Sequence, residues 1–165
     1  MGGYGVPAEV EGALPWAWAR ERLVASRNYW VVTANAAGRP HALPVWGVWL
    51  PSEVFWFGCA PSARKARNLA ANPHAVVTVD STVEVVSVEC RGRASTEAEL
   101  AAALVAFEAK YGAEMAENAG EGDDAVDLEA FLRQNAAFTF EPERAFGIIE
   151  RPDEFSARAT RWRWT

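Results

Sequence analysis

Short apolar runs separated by turn residues recur along this chain, and most are too short for helices. Tyr29 to Ala34 (YWVVTA) is aromatic and β-branched and predicts a strand. Arg39 to Leu50 (RPHALPVWGVWL) predicts a second strand, and the turn Asn35-Ala36-Ala37-Gly38 joins the two as a hairpin. Pro40 and Pro44 each remove a ladder donor, which places this strand at an edge, at a bulge or where the ladder opens. Gly47 marks a close backbone approach or a sharp bend. Val54 to Cys59 predicts a third strand, His74 to Val79 a fourth and Val83 to Ala94 a fifth, the last two joined at Asp80-Ser81-Thr82. Ala136 to Phe140 and Arg144 to Ile149 predict two more, separated by Glu141-Pro142-Glu143. Arg158 to Trp164 (RATRWRW) alternates charged and aromatic residues and predicts a last strand.

Helical spacing marks the remaining segments. Pro15 to Arg27 carries Trp16, Ala19, Leu23 and Val24 as an apolar stripe, and Asn28 closes it. Thr96 to Tyr111 has Ser95 or Thr96 as its cap and acidic residues in its first turn. Leu100, Leu104 and Phe107 face one way, and Gly112 ends the helix. Ala113 to Asp124 is acidic without a period and predicts an exposed, mobile loop; Asp127 to Gln134 predicts a short helix. Many short strands with few helices predict a mainly β fold with flanking helices. The hairpins are short, so the sheet is mostly antiparallel, and it must close or nearly close to bury its apolar face and its edges. A loosely ordered segment, 1–14, precedes a single domain over 15–165.

Composition narrows the class. The chain has 165 residues, half of them hydrophobic, with eight Trp and eight Phe, so it is globular and long enough for a substantial core. The formal net charge of -6 argues against nucleic acid as a partner. No run approaches the length of a membrane-spanning helix, and residues 1–12 lack the features of a signal peptide. Cys59 and Cys90 stand at neither metal nor CxxC spacing, which predicts reduced thiols in a cytoplasmic protein. His41 and His74 are the only histidines, so no metal site is expected. No G-x-S-x-G elbow, GxGxxG or Walker loop occurs.

One stretch stands against the acidic background: Ser62-Ala63-Arg64-Lys65-Ala66-Arg67-Asn68-Leu69-Ala70-Ala71-Asn72-Pro73. Ser62 is a favourable N-cap and Asn72-Pro73 a stop, so the segment predicts a short helix. Its cations Arg64, Lys65 and Arg67 lie at the end where a helix dipole prefers anions. An external anion accounts for that placement, and phosphate suits both Arg and Lys. The alternative is a solvated basic turn, with Arg67 paired to a carboxylate such as Glu53 or Asp80. A bound redox cofactor needs orientation and electrostatics from the protein and no catalytic side chain.

The pattern Tyr29-Trp30, Gly38-Arg39-Pro40-His41, Pro44-Val45-Trp46, then the Ser62 to Pro73 block, then Thr160-Arg161-Trp162-Arg163-Trp164, resembles the pyridoxamine 5′-phosphate oxidase-like superfamily. Within it the chain is most similar to the flavin/deazaflavin oxidoreductase branch. The resemblance covers roughly residues 15–165. It implies a split β-barrel and a homodimer holding a flavin-type cofactor at its interface. By position, Ser62, Arg64 and Lys65 would hold the cofactor phosphate, with Asn68 nearby. Pro44, Val45 and Trp46 would run along the ring, and Arg161 and Trp162 would reach the cofactor or substrate pocket. The FMN-dependent vitamin oxidases of the superfamily carry a basic residue where this chain has Ala42-Leu43-Pro44, which favours the deazaflavin coenzyme F420. Arg67, one helical turn beyond Arg64, points toward the acidic tail of that coenzyme. The function implied is hydride transfer between F420 and a small organic substrate. An FMN-binding oxidoreductase, a non-catalytic flavin or F420 carrier and a heme-handling split barrel are the alternatives.

Overall fold

The computed structural model describes residues 12–119 and 128–164. The expected loosely ordered segment 1–14 therefore lies mostly outside the described residues. Helix α1 (Trp16–Ala25) starts behind Pro15, whose fixed φ suits a helix entry, and turns Ala19 and Leu23 inward. The strands β1 (Tyr29–Ala34) and β2 (Pro40–Val45) form the expected hairpin, with Tyr29 opposite Val45 and Ala34 opposite Pro40. At its tip Gly38 takes φ +77, and the Asn35 side-chain oxygen accepts from the Ala37 and Arg39 amides. β3 (Val48–Trp49), β4 (Phe55–Cys59), α2 (Arg64–Ala71), β5 (His74–Val79), β6 (Glu84–Ala94) and α3 (Glu97–Ala119) follow. After the second described stretch begins come α4 (Leu128–Arg133), β7 (Ala136–Ile149), α5 (Phe155–Arg158) and β8 (Thr160–Arg163).

Every pairing is antiparallel, and the sheet runs β2-β1-β5-β6-β7-β4-β3, with β8 added to β7. The sheet curls around one interior. Tyr29, Val31, Val77, Val86, Val88, Phe55, Phe57 and Phe140 fill it, with Leu23 from α1 and Leu69 from α2 entering from the helices. Each of these aromatic side chains contributes roughly 2–3 kcal/mol by leaving water. A second cluster lies on the other face of β3 and β4, where Val48, Leu50 and Trp56 meet Leu100, Phe107 and Tyr111 of α3. This is the split β-barrel with flanking helices that the strand count and the resemblance imply.

Four boundaries differ from the sequence reading. Arg39 to Leu50 is two strands and not one. The ladder stops at Trp46-Gly47, where the Tyr111 hydroxyl accepts from the Gly47 amide at 3.1 Å and Lys110 donates to the Gly47 carbonyl at 3.2 Å. β2 and β3 are thus the two ends of the sheet path, joined by chain and not by a ladder, and the barrel is split at this seam. β2 is the edge that its prolines require. Second, β7 is one strand through Pro142. Its β4 partners end at Phe140 and its β8 partners begin at Arg144, so on that side Pro142 has no ladder bond to lose. A bulge between Glu89 and Cys90 of β6 absorbs the irregularity on the other side.

Third, α3 does not end at Gly112. Tyr111 and Met115 continue the Phe107 stripe onto the cluster, and that burial outweighs the roughly 1 kcal/mol propensity cost of a helical glycine. Residues 113–119 are therefore helix, and the rest of the predicted acidic loop lies outside the described residues. Fourth, the last strand is shorter than Arg158 to Trp164, because Phe155–Arg158 forms a turn of helix before it.

Candidate functional site

The basic segment forms its helix, but not through the expected cap. Ala63 is the N-cap residue and supplies no side-chain bond, while Ser62 is exposed and its carbonyl accepts from the Arg67 guanidinium. The loop is closed instead by its backbone, the Ala63 amide donating to the Ala60 carbonyl at 2.8 Å. The helix N-terminus thus carries orphan N–H groups with no acid in the first turn. Ala66 and Leu69 pin the helix to the interior, and the buried Asn68 amide donates to the Thr33 hydroxyl at 3.0 Å. Asn68 is therefore an anchor between α2 and β1. Anchored this way, α2 leaves Arg64 exposed and Lys65 half-buried. Among the described residues neither has an ion-pair partner. Arg67 pairs with neither Glu53, which holds Arg20, nor Asp80, which accepts from the Ser26 hydroxyl.

Lys65 opens onto a cavity of about 450 Å³ at the barrel seam. Pro44, Val45 and Trp46 from the end of β2 form one wall, and Gly58, Cys59 and Ala60 from the end of β4 another. Phe107 and Asn135 complete it. Trp46 is held by stacking on Tyr111, with ring centroids 5.0 Å apart and planes within 5°. Burial pushes the Cys59 thiol up, while the Lys65 charge and the Ala66 backbone pull it back. The setting is the Lys65 cation at a helix N-terminus, with Ser62 and Arg64 next to it in the chain, on an aromatic, largely apolar hollow. It fits an anion attached to a flat ring system.

Within one chain the terminal strand is elsewhere. Trp162 lies opposite Ala145 on β7, whereas Gly58 lies opposite Ala137, eight residues or roughly 25 Å of extended chain along the same strand. Trp162 is half-buried, 5.4 Å from Trp16 centroid to centroid, and Arg161 lies exposed, 5.0 Å from the Phe146 ring. The structure therefore brings Lys65 together with Pro44, Val45 and Trp46 around one cavity; Ser62 and Arg64 adjoin Lys65 in the chain but are not among its lining residues, and Arg161 and Trp162 lie elsewhere in the same chain. Cys59, Phe107 and Asn135 line the cavity without belonging to the motifs that mark the site in the sequence. Cys59 had a signal in its place just before the basic loop; Phe107 and Asn135 had none.

Residues 17–144 match the family model described as pyridoxamine 5′-phosphate oxidase. A conserved hypothetical protein from Mycobacterium tuberculosis is 16% identical, with a TM-score of 0.69 over 89% of this chain and 91% of that one. A heme-binding protein from Mycobacterium smegmatis is 20% identical, with a TM-score of 0.63 over 92% of this chain and 59% of that one. A structure described as an F420 reductase is 17% identical, with a TM-score of 0.56 over 82% of this chain and 96% of that one. These likenesses are of fold. No curated protein matches the sequence. The family model spans most of the chain, including both walls of the seam cavity and the basic helix, and the chain belongs to the pyridoxamine 5′-phosphate oxidase family.

Proposed function

We propose that this chain is an F420-dependent oxidoreductase that works as a homodimer. The observation that carries the reading is the pair Arg64 and Lys65, which have no counter-ion among the described residues, at an uncapped helix N-terminus, with Lys65 lining the Trp46-walled cavity. When bound, the deazaflavin supplies the hydride chemistry. The chain's own part is to bind and orient: Arg64, Lys65 and the Ser62 hydroxyl would take the phosphate, and Pro44 to Trp46 would lie along the ring. No side chain here is asked to move a proton. The exposed, apolar Ala42-Leu43-Pro44 offers no third cation, which suits the single charge of a phosphodiester better than the dianion of FMN. A fold shared with an F420 reductase is compatible with the reading.

The dimer rests on the outer face of β1 and β2. Trp30, Val32, Ala42 and Pro44 share that outward side, and Trp30 is 43% exposed. An edge strand with an apolar outer face is a surface that a second copy covers. It also offers a way for Arg161 and Trp162 to approach a cofactor they do not reach in their own chain. The test is titration of the cofactor-free chain with F420, FMN and hemin, each separately. F420 binding the tightest is the expected result; FMN or hemin binding more tightly overturns it. Single-turnover oxidation of reduced F420 by a panel of electrophiles then separates an enzyme from a carrier.

A further inference from the structure

A second cavity lies on the far side of the Trp46–Trp49 segment. It holds about 420 Å³ between α1, β3 and α3 and shares no lining residue with the first. Val24, Val48, Trp49, Pro51 and Ala106 make its walls apolar, and its cations are Arg20 and Lys110. Arg20 is held by Glu53. Lys110 has no carboxylate contact among the described residues. Its ammonium donates to the Tyr29 phenol oxygen at 2.7 Å and to the Gly47 carbonyl at 3.2 Å, both neutral acceptors. It also lies 4.5 Å from the Tyr29 ring centroid and 5.3 Å from that of Tyr111.

An ammonium has three N–H groups, and the third finds no acceptor among the described residues. Burial holds the amine down at about 8, opposed only by the Asp80 charge. Burial also pushes the Tyr29 phenol far up, so it stays a neutral acceptor. A half-buried cation beside an apolar cavity, with no ion-pair partner, is costly, and an anion brought in by a ligand removes that cost. Among the described lining residues one charge is without a carboxylate, so the anion is singly charged; the walls are apolar, so its body is hydrocarbon.

We propose that this cavity binds a small amphipathic monocarboxylate, its carboxylate on Lys110 and its hydrocarbon body against Val24, Val48 and Trp49. The ionisable groups around Lys110 are Arg20 with Glu53, Arg27 with Glu114, then Tyr29, Tyr111 and Asp80. Binding needs the protonated amine. Above the titration range of the ligand's own carboxylate, affinity is therefore full up to pH about 8 and falls beyond it, by up to about tenfold per pH unit.

The probe is hexanoate, titrated calorimetrically into the full chain, with hexanol and hexylamine as controls. Hexanoate binding at pH 7, with weaker hexanol and no hexylamine binding, is expected. Lys110→Met weakens hexanoate roughly tenfold or more, and Ala106→Phe, which fills the cavity, abolishes it. Lys110→Met leaves the Tyr29 and Gly47 oxygens without their donor, so its fold is checked by circular dichroism. Should it not fold, the pH series on the unaltered chain decides. Hexanoate affinity that is flat between pH 7 and 9.5, or no tighter than hexanol, overturns the proposal. Neither outcome depends on F420 binding at the other cavity.

Discussion

Gly47 sits where β2 hands over to β3, and it leaves no room for a side chain. A Cβ there would come within 2.4 Å of the Phe55 ring and 2.7 Å of the Trp56 carbonyl. Phe55 is fully buried, so neither neighbour yields cheaply. Gly47→Ala is expected to cost roughly 1–3 kcal/mol, read as a fall in thermal midpoint. An unchanged midpoint would show that the seam gives way. At the basic helix, Lys65→Ala and Arg64→Ala each remove a charge-assisted contact and should weaken F420 by roughly tenfold. Unchanged affinity in both variants sinks the site. Arg67 is differently placed, folded back on the Ser62 carbonyl. Arg67→Ala should weaken F420 more than FMN, and more at low salt, because an exposed charge is screened. Equal changes for both cofactors would remove Arg67 from the argument.

At the scale of an element, the start of α3 is tied by several charged and capping bonds. The Thr96 amide donates to the Glu99 carboxylate at 2.8 Å and the Glu99 amide to the Thr96 hydroxyl at 3.3 Å, a reciprocal cap. Arg93, on β6, holds the same carboxylate at 2.7 Å and Glu141 of β7 at 2.8 Å. The Arg93 bonds hold the Glu99 carboxyl down at about 2, against the opposing effect of burial. A carboxyl lower in the folded than in the unfolded chain contributes stability above its ordinary value near 4.5. That contribution is lost as pH falls from about 4.5 toward 2. Glu99→Gln should be less stable than the parent at pH 7, by a margin that shrinks as pH falls from about 4.5 toward 2, as judged by denaturant midpoints. A constant difference across that range would mean that Glu99 acts by packing.

For the whole molecule the question is what covers β2. Leu43 lies opposite the buried Val31, yet it is 45% exposed because no strand flanks this edge. On the other face Trp30 and Pro44 are paired across the hairpin and both are exposed. Trp30→Glu should convert a dimer to a monomer by light scattering and weaken F420 with it, leaving the circular dichroism spectrum unchanged. A parent chain that is monomeric at micromolar concentration with F420 bound would refute the shared site.

The sequence by itself determined the parts that depend on neighbours in the chain. The limits of β1 and β5, the hairpin turn at Asn35 to Gly38, the edge character of a strand holding Pro40 and Pro44, and the basic helix ending at Asn72-Pro73 all follow from propensity, capping and backbone chemistry. The cations of the candidate site were legible for the same reason. The tertiary structure decided what depends on distant contacts. Tyr111 and Lys110 interrupt the ladder at Gly47 from more than sixty residues away. Met115 and Tyr111 carry α3 past Gly112 because a surface waits for them, and Pro142 stays inside β7 because β4 and β8 leave a gap beside it. Phe107 joined the cavity through the packing of α3 on β3 and β4, and Trp162 was placed at the far end of β7 by sheet order. No local pattern encodes sheet order, since it is set by which apolar faces can be buried together.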